Sequence, residues 1–176
     1  SLAKVLEKPV TFYIGFDPSA DCLHVGHLVP IMLMKWMQDA GHRPIVLLGG
    51  GTAMIGDPSG KDKTRQMLSA EEIQHNLQCQ KKLFGRFIDL DKAQVVDNGQ
   101  WLLKLNYVSF LRDIGKHFSV NRMLAASGAQ QRLERGQGYS LIEFNYHLCQ
   151  SYDYLVLQKQ YDCVLQCGGD DQWFNI

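Results

Sequence analysis

The sequence predicts an α/β fold, a parallel sheet flanked by helices. Two short runs rich in β-branched, aromatic and aliphatic residues, Thr11–Phe16 and Pro44–Leu48, read as buried strands. A long, mostly apolar helix from near Val25 to Ala40 lies between them. That β-α-β order requires a crossover and therefore parallel pairing. Both runs end in turn residues, Asp17-Pro18-Ser19 and Gly49-Gly50-Gly51. The carboxyl ends of such strands are where open parallel sheets bind ligands.

The bulk numbers fit one domain. The chain has 176 residues, with Lys+Arg and Asp+Glu both at 18, so no global basic field announces nucleic acid. A local basic patch stays open. Cys22, Cys79, Cys149, Cys163 and Cys167 form an odd set without a CxxC pair, which predicts free thiols in a reducing compartment. No secretory leader and no apolar run of about 18 residues is present, so a soluble, cytoplasmic protein without membrane contact is expected.

The remaining elements follow in order. Gly41 stops the first long helix, and Pro30 is tolerated near its start. Gly49 to Gly60 reads as a glycine-rich loop. Ser69 and Glu72 form a capping box for a helix from Ala70 to about Phe87. Ala93–Asp97 is a short strand, and Trp101–Lys116 is mixed, turning helical around Phe110-Leu111-Arg112. Ser119 is expected to cap a short helix through Ala126, and Gln130–Arg135 is polar and helical. Ser140 and Glu143 offer a second capping box for a helix to about Leu157. Val164–Cys167 is a buried strand followed by Gly168-Gly169-Asp170-Asp171-Gln172-Trp173.

Four segments carry candidate chemistry. His24 and His27 straddle Gly26 at a helix start, so both can reach one bound group where the helix terminus favours anions. Imidazole N–H groups there can hold phosphate oxygens as charge builds in an in-line displacement. Two hydrogen-bonded surface histidines would give the same pattern. A zinc site would need a third ligand, and Cys22 meets no known spacing. Gly49-Gly50-Gly51-Thr52 through Gly60-Lys61 follows the second strand but is not a Walker A loop, because Asp62 follows Lys61. Its Asp57 could bind an ammonium group. Tyr146, Gln150 and Asp153 stand at i, i+4 and i+7, a polar stripe that suits either a solvated face or a site beside the first strand. Gly168-Gly169 allows close backbone approach, and a carboxylate just beyond can accept two hydrogen bonds from a ribose diol.

Together these segments resemble the catalytic domain of bacterial-type tyrosyl-tRNA synthetases, of class I. The resemblance rests on Tyr13-x-Gly15-Phe16-Asp17-Pro18, His24-Val25-Gly26-His27, Gly56-Asp57-Pro58-Ser59-Gly60, Phe110-Leu111-Arg112-Asp113 with Gly115–Asn121, Glu143-Phe144 with Tyr146, Gln150 and Asp153, and Gly168-Gly169 with Asp171-Gln172-Trp173. The motifs run in family order over nearly the whole chain. The resemblance implies a Rossmann-like sheet that activates tyrosine with ATP, Mg²⁺ arriving with the nucleotide, and then charges the tRNA for tyrosine.

By the same resemblance, His24 and His27 belong to the HIGH signature and hold ATP phosphates and ribose. Asp17, Ser19 and Gly169 border ATP, and Asp171 binds its ribose. Tyr13 and Asp153 hydrogen-bond the substrate's phenolic hydroxyl. Asp57, Tyr146 and Gln150 surround its α-ammonium group, while Thr52 and Gln166 line its pocket. Gln172 sits near the reacting carboxylate, and Lys61 and Arg65 grip pyrophosphate. A site that pairs with a hydroxyl rejects an analogue lacking it. The resemblance further implies a homodimer formed through Phe110–Asn121, within a helical connective insertion of about 100–138. Asp170 and Phe174 depart from the family pattern, putting a second carboxylate beside Asp171 and a bulkier turn after Trp173. The family's lysine signature loop is not among residues 1–176, so a catalytic-domain fragment of a longer enzyme is expected. Two other readings are a small nucleotidylyltransferase with an HxGH element and a synthetase-derived RNA-binding module without catalysis. The first does not explain Tyr13, Tyr146, Gln150 and Asp153 together.

Overall fold

Four short apolar runs pair into one parallel sheet: β1 (Thr11–Phe16), β2 (Arg43–Leu48), β3 (Gln94–Asp97) and β4 (Cys163–Gln166), in the order β3-β2-β1-β4. The computed structural model describes residues 2–55, 68–125, 130, 133–136, 141–169 and 172, and of Glu143 the backbone alone. β1 is central, with Tyr13 opposite Ile45 on one side and Gln166 on the other. The period-2 alternation of β1 divides its side chains between two cores. Phe12, Ile14 and Phe16 pack with Ile31, Met34, Ile73, Leu77 and Phe84. Tyr13 turns to the opposite face, among Ile45, Leu47, Val96, Leu157 and Cys163. Tyr13 thus brings a phenol into an apolar layer.

After α1 (Leu2–Leu6), the helices largely follow the local signals. The first long helix is α2 (Leu28–Asp39), preceded by a separate 3₁₀ turn over Val25–His27. His24 causes that break: its ring Nδ1 accepts the Gly26 amide at 3.0 Å and caps the turn. Gly41 ends the helix at φ +92°, a conformation that suits glycine. The expected capping box starts α4 (Ala70–Phe84), with the Glu72 amide on Ser69 Oγ at 3.2 Å and the Ser69 amide on Glu72 at 2.8 Å. The helix stops three residues short of the expected Phe87.

Some expectations need correction. The start of the glycine-rich segment is not loop but α3 (Gly50–Ala53). Its first amides are capped from far along the chain: Gly50 N donates to Asp97 Oδ1 (3.1 Å) and Gly51 N to Asn98 Oδ1 (2.7 Å). The segment read as mixed resolves into α5 (Gly99–Leu102) and α6 (Tyr107–Asp113), the latter capped by Asn106. Ser119 precedes α7 (Val120–Leu124) but makes no capping hydrogen bond through its side chain. Gln130, Leu133 and Glu134 are helical as expected. α8 (Leu141–Tyr161) runs four residues past Leu157, and Asp162, at φ 53°, turns the chain into β4. Ser140 of the second expected capping box lies outside the described residues. All five cysteines are free thiols. Among the described residues, no helix is long and apolar enough to cross a membrane.

Candidate functional site

The site grows from the carboxyl ends of β1, β2 and β3 and from the inner face of α8. Asp17, the first residue beyond β1, is the common acceptor. Its Oδ1 takes the Thr52 hydroxyl at 2.9 Å, and its Oδ2 takes the Tyr146 hydroxyl at 2.8 Å. One carboxylate thus joins α3 to α8. The geometry sets Asp17 with Thr52 and Tyr146, two residues expected around the amino acid, as well as in the turn that leads to the histidines. Thr52 is buried, and its one hydroxyl proton is shared between Asp17 and Gly49 O, the latter 3.2 Å away. Gly49 has no room for a side chain, because a Cβ there would collide with Asp17 and Thr52.

Asp153 lies deeper, 2% exposed. Asn98 Nδ2 donates to its Oδ2 at 2.9 Å, and Trp101 Nε1 to its Oδ1 at 2.7 Å. Burial pushes the Asp153 carboxyl up to about 7; the two donors oppose that, and the charges of Asp17 and Asp97 add to it. Asn98 is itself shared, with Nδ2 also donating to Thr52 Oγ1 at 3.2 Å. The chain Trp101–Asp153–Asn98–Thr52–Asp17–Tyr146 is therefore one connected polar network.

Tyr13 stands beside this network with an unused group. It is 1% exposed, its ring lies 5.5 Å from that of Tyr154, and its hydroxyl has no partner. Burial raises its pKa above the ordinary tyrosine value, and the nearby Asp153 charge raises it further. Buried hydroxyls are normally paired, so an orphan beside a fixed carboxylate is a receptor waiting for a donor–acceptor group. A ligand hydroxyl has that chemistry.

The histidines meet beyond the same carboxyl end of β1, beside Phe16. Their ring centroids are 4.0 Å apart, and His27 lies 6.2 Å from Phe16. His27 Nδ1 is buried without a partner. Burial, then the neighbouring His24, lower the His27 pKa, so near neutral pH it acts as an uncharged imidazole that offers one N–H. Gly26 between them is needed for space, since a Cβ would stand 2.8 Å from His24 Cε1.

On the α8 and β4 side, Gln150 donates to Gln172, and Gln166 Oε1 is buried without a partner. Gly168 allows Gln172 its close approach, because a Cβ there would lie 2.8 Å from Gln172 Cγ. Ser19 is exposed, with its amide folded onto Asp17 O at 2.8 Å. Asp57, Lys61, Arg65 and Asp171 lie outside the described residues, as do Asp170, Trp173 and Phe174.

Sequence reasoning missed Asn98 and Trp101. The signal that could have found them is Asp97-Asn98-Gly99 directly after the short strand, a third turn at the carboxyl end of a parallel sheet.

Comparison with known proteins bears on the family and the fold. The family model "tRNA synthetases class I (W and Y)" matches residues 5–176. A tyrosine–tRNA ligase of Acetivibrio thermocellus is 60% identical over 178 residues, covering 99% of this chain and 43% of that protein. One of Clostridium botulinum is 61% identical over 176 residues, with coverage of 98% and 43%. The chain thus spans less than half the length of these curated relatives. A crystal structure of a C-terminally truncated mitochondrial tyrosyl-tRNA synthetase from Aspergillus nidulans superposes with a TM-score of 0.84 at 34% identity, covering 97% of this chain and 51% of that one. On the match over residues 5–176, this chain belongs to the class I tRNA synthetases of the tryptophan and tyrosine group.

Proposed function

We propose that the chain is the catalytic portion of a tyrosine–tRNA ligase. The observation that carries this is the buried, unpartnered Tyr13 hydroxyl beside Asp153, whose carboxylate is held by Asn98 and Trp101. A phenol entering there accepts from Tyr13 and donates to Asp153. Phenylalanine leaves both groups unpaired and is rejected for that reason. The relatives' names, tyrosine–tRNA ligase, support the same reading.

In this reading the tyrosine carboxylate attacks the α-phosphorus of ATP in line. A P–O bond forms, the bond to the β-phosphate oxygen breaks, and pyrophosphate leaves. His24 and His27 donate to phosphate oxygens as charge accumulates, with Lys61 and Arg65 on the leaving group. Ser19, Gly169 and Asp171 border the nucleotide, and Gln172 the reacting carboxylate. Asp57, Tyr146 and Gln150 take the α-ammonium group, with Thr52 and Gln166 completing the wall. Asp17 orients Tyr146 through its hydrogen bond. Mg²⁺ enters bound to the ATP phosphates, as part of the substrate. The terminal adenosine of the tRNA for tyrosine then takes the acyl group and AMP leaves. A cytoplasmic homodimer joined through the 100–138 insertion completes the proposal.

The test is pyrophosphate exchange into ATP by the protein at its full native length. Exchange that depends on tyrosine and is absent with phenylalanine is expected. A folded protein that exchanges equally with both, or with neither, refutes the proposal.

A further inference from the structure

Two amides on α4 hold the turn that joins the sheet to the histidines. Asn76 and Gln80 stand one helical turn apart and are 7% and 1% exposed. Asn76 Nδ2 donates to Pro18 O at 2.9 Å. Gln80 Nε2 donates to Ala20 O at 3.1 Å and to Asp17 O at 3.3 Å. Three carbonyls of one four-residue turn are therefore gripped by two side chains 58 to 63 residues further along. Gln80 Oε1 is buried without a partner. An apolar side chain would fill this space without that cost, so what the amide contributes is its donors. They point at the backbone of the segment that carries Asp17 and Ser19 and leads to His24.

We propose that Asn76 and Gln80 are positioning residues for the nucleotide half of the site, fixing the Asp17–Ala20 backbone so that Ser19 and His24 meet ATP in one geometry. The inference rests on the reading that this chain activates tyrosine with ATP. The Asp17 carboxylate has its own anchors in Thr52 and Tyr146. The wall facing tyrosine therefore stays in place when the grip of α4 on the backbone is lost. The two halves of the site are held by separate bonds, and this separation makes the idea testable.

The experiment uses the full-length ligase with Gln80→Met and, separately, Asn76→Leu. Each replaces a donor with an apolar group of similar size and releases different carbonyls. Pyrophosphate exchange is measured against ATP, tyrosine binding by calorimetry, and amide hydrogen exchange over residues 19–23. For either variant that folds, kcat/KM for ATP is expected to fall about 10²-fold, the scale of a roughly 1 Å misplacement. The tyrosine Kd should stay within about threefold, the change expected when the two anchors of Asp17 persist. Amides 19–23 should exchange faster. A lower melting temperature with unchanged ATP kinetics and unchanged exchange at 19–23 overturns the proposal. So does a parallel loss of ATP and tyrosine affinity. Wild-type enzyme without tyrosine-dependent exchange refutes the underlying reading, whereas active wild type with unaffected variants refutes the positioning role alone.

Discussion

Replacing Asn98 by alanine tests the polar network at its most connected point. Asn98 is 1% exposed and bridges three elements. Its Oδ1 accepts Gly51 N at 2.7 Å, and its Nδ2 donates to Asp153 at 2.9 Å and to Thr52 Oγ1 at 3.2 Å. The Thr52 hydroxyl keeps Asp17 and Gly49 as acceptors after the change, while the Thr52 amide loses its longer bond of 3.4 Å to Asn98 Oδ1. The Gly51 amide and Asp153 Oδ2 are left unpaired. Each buried orphan costs about 1–3 kcal/mol, and more where a charge is involved, so the variant should lose roughly 4 kcal/mol. With a urea m-value of about 2 kcal/mol/M, the midpoint falls by about 2 M. A second readout follows from charge. Asn98 lowers the Asp153 pKa, so without it the carboxyl rises further above its position near 7. Tyrosine affinity should then be hurt more at pH 6.5 than at pH 8.5, where Asp153 regains its charge. Urea titration and calorimetry at the two pH values check this. A loss below about 1 kcal/mol with an unchanged pH profile would show that the network does not carry the fold or the site.

Other perturbations separate stability from recognition. Tyr13→Phe removes a buried hydroxyl that has no partner, so the ligand-free protein should melt at the same temperature or slightly higher, while tyrosine binding weakens about tenfold. Asp153→Asn tests pH linkage: the folded carboxyl holds its proton up to about 7 against 3.8 ordinarily, so wild type loses stability as pH rises from about 4 to 7 and the variant lacks that slope in urea midpoints. His27, whose pKa is lowered, acts in the opposite sense below about 6.5 and cancels in the comparison. Gly26→Ala places a Cβ 2.8 Å from His24 Cε1, so exchange activity should fall about 10- to 100-fold at nearly unchanged melting temperature. Ser69→Ala removes the cap of α4 and should cost about 1 kcal/mol in urea unfolding.

What could be read directly was what neighbours in sequence decide. β1 has the expected bounds because its side chains are apolar on both faces, and Ser69 with Glu72 caps α4 because both partners lie within one turn. Gly41 ends its helix for an equally local reason, its positive φ. The missed features depend on distant partners. Gly50–Ala53 is helical because Asp97 and Asn98 cap it from 47 residues away. Asp153 belonged to a stripe that suited solvent as well as a site, and only contacts with Asn98 and Trp101, 55 and 52 residues back, reveal it as buried. The motifs named Asp17, Thr52, Tyr146 and Asp153, which the fold brings into one network, whereas the supporting donors Asn98 and Trp101 lay outside them.

Asp17 has one further consequence. Its carboxylate joins α3 to α8 while its carbonyl is held from α4, so in the proposed reading one residue stands on the boundary between the two ligands. Anything that shifts Asp17 on binding one ligand changes the energy of binding the other, and thermodynamics makes that effect equal in both directions. Tyrosine and ATP should therefore bind non-independently, with a coupling that disappears when Asp17 is replaced by alanine and is unaffected by changes remote from it.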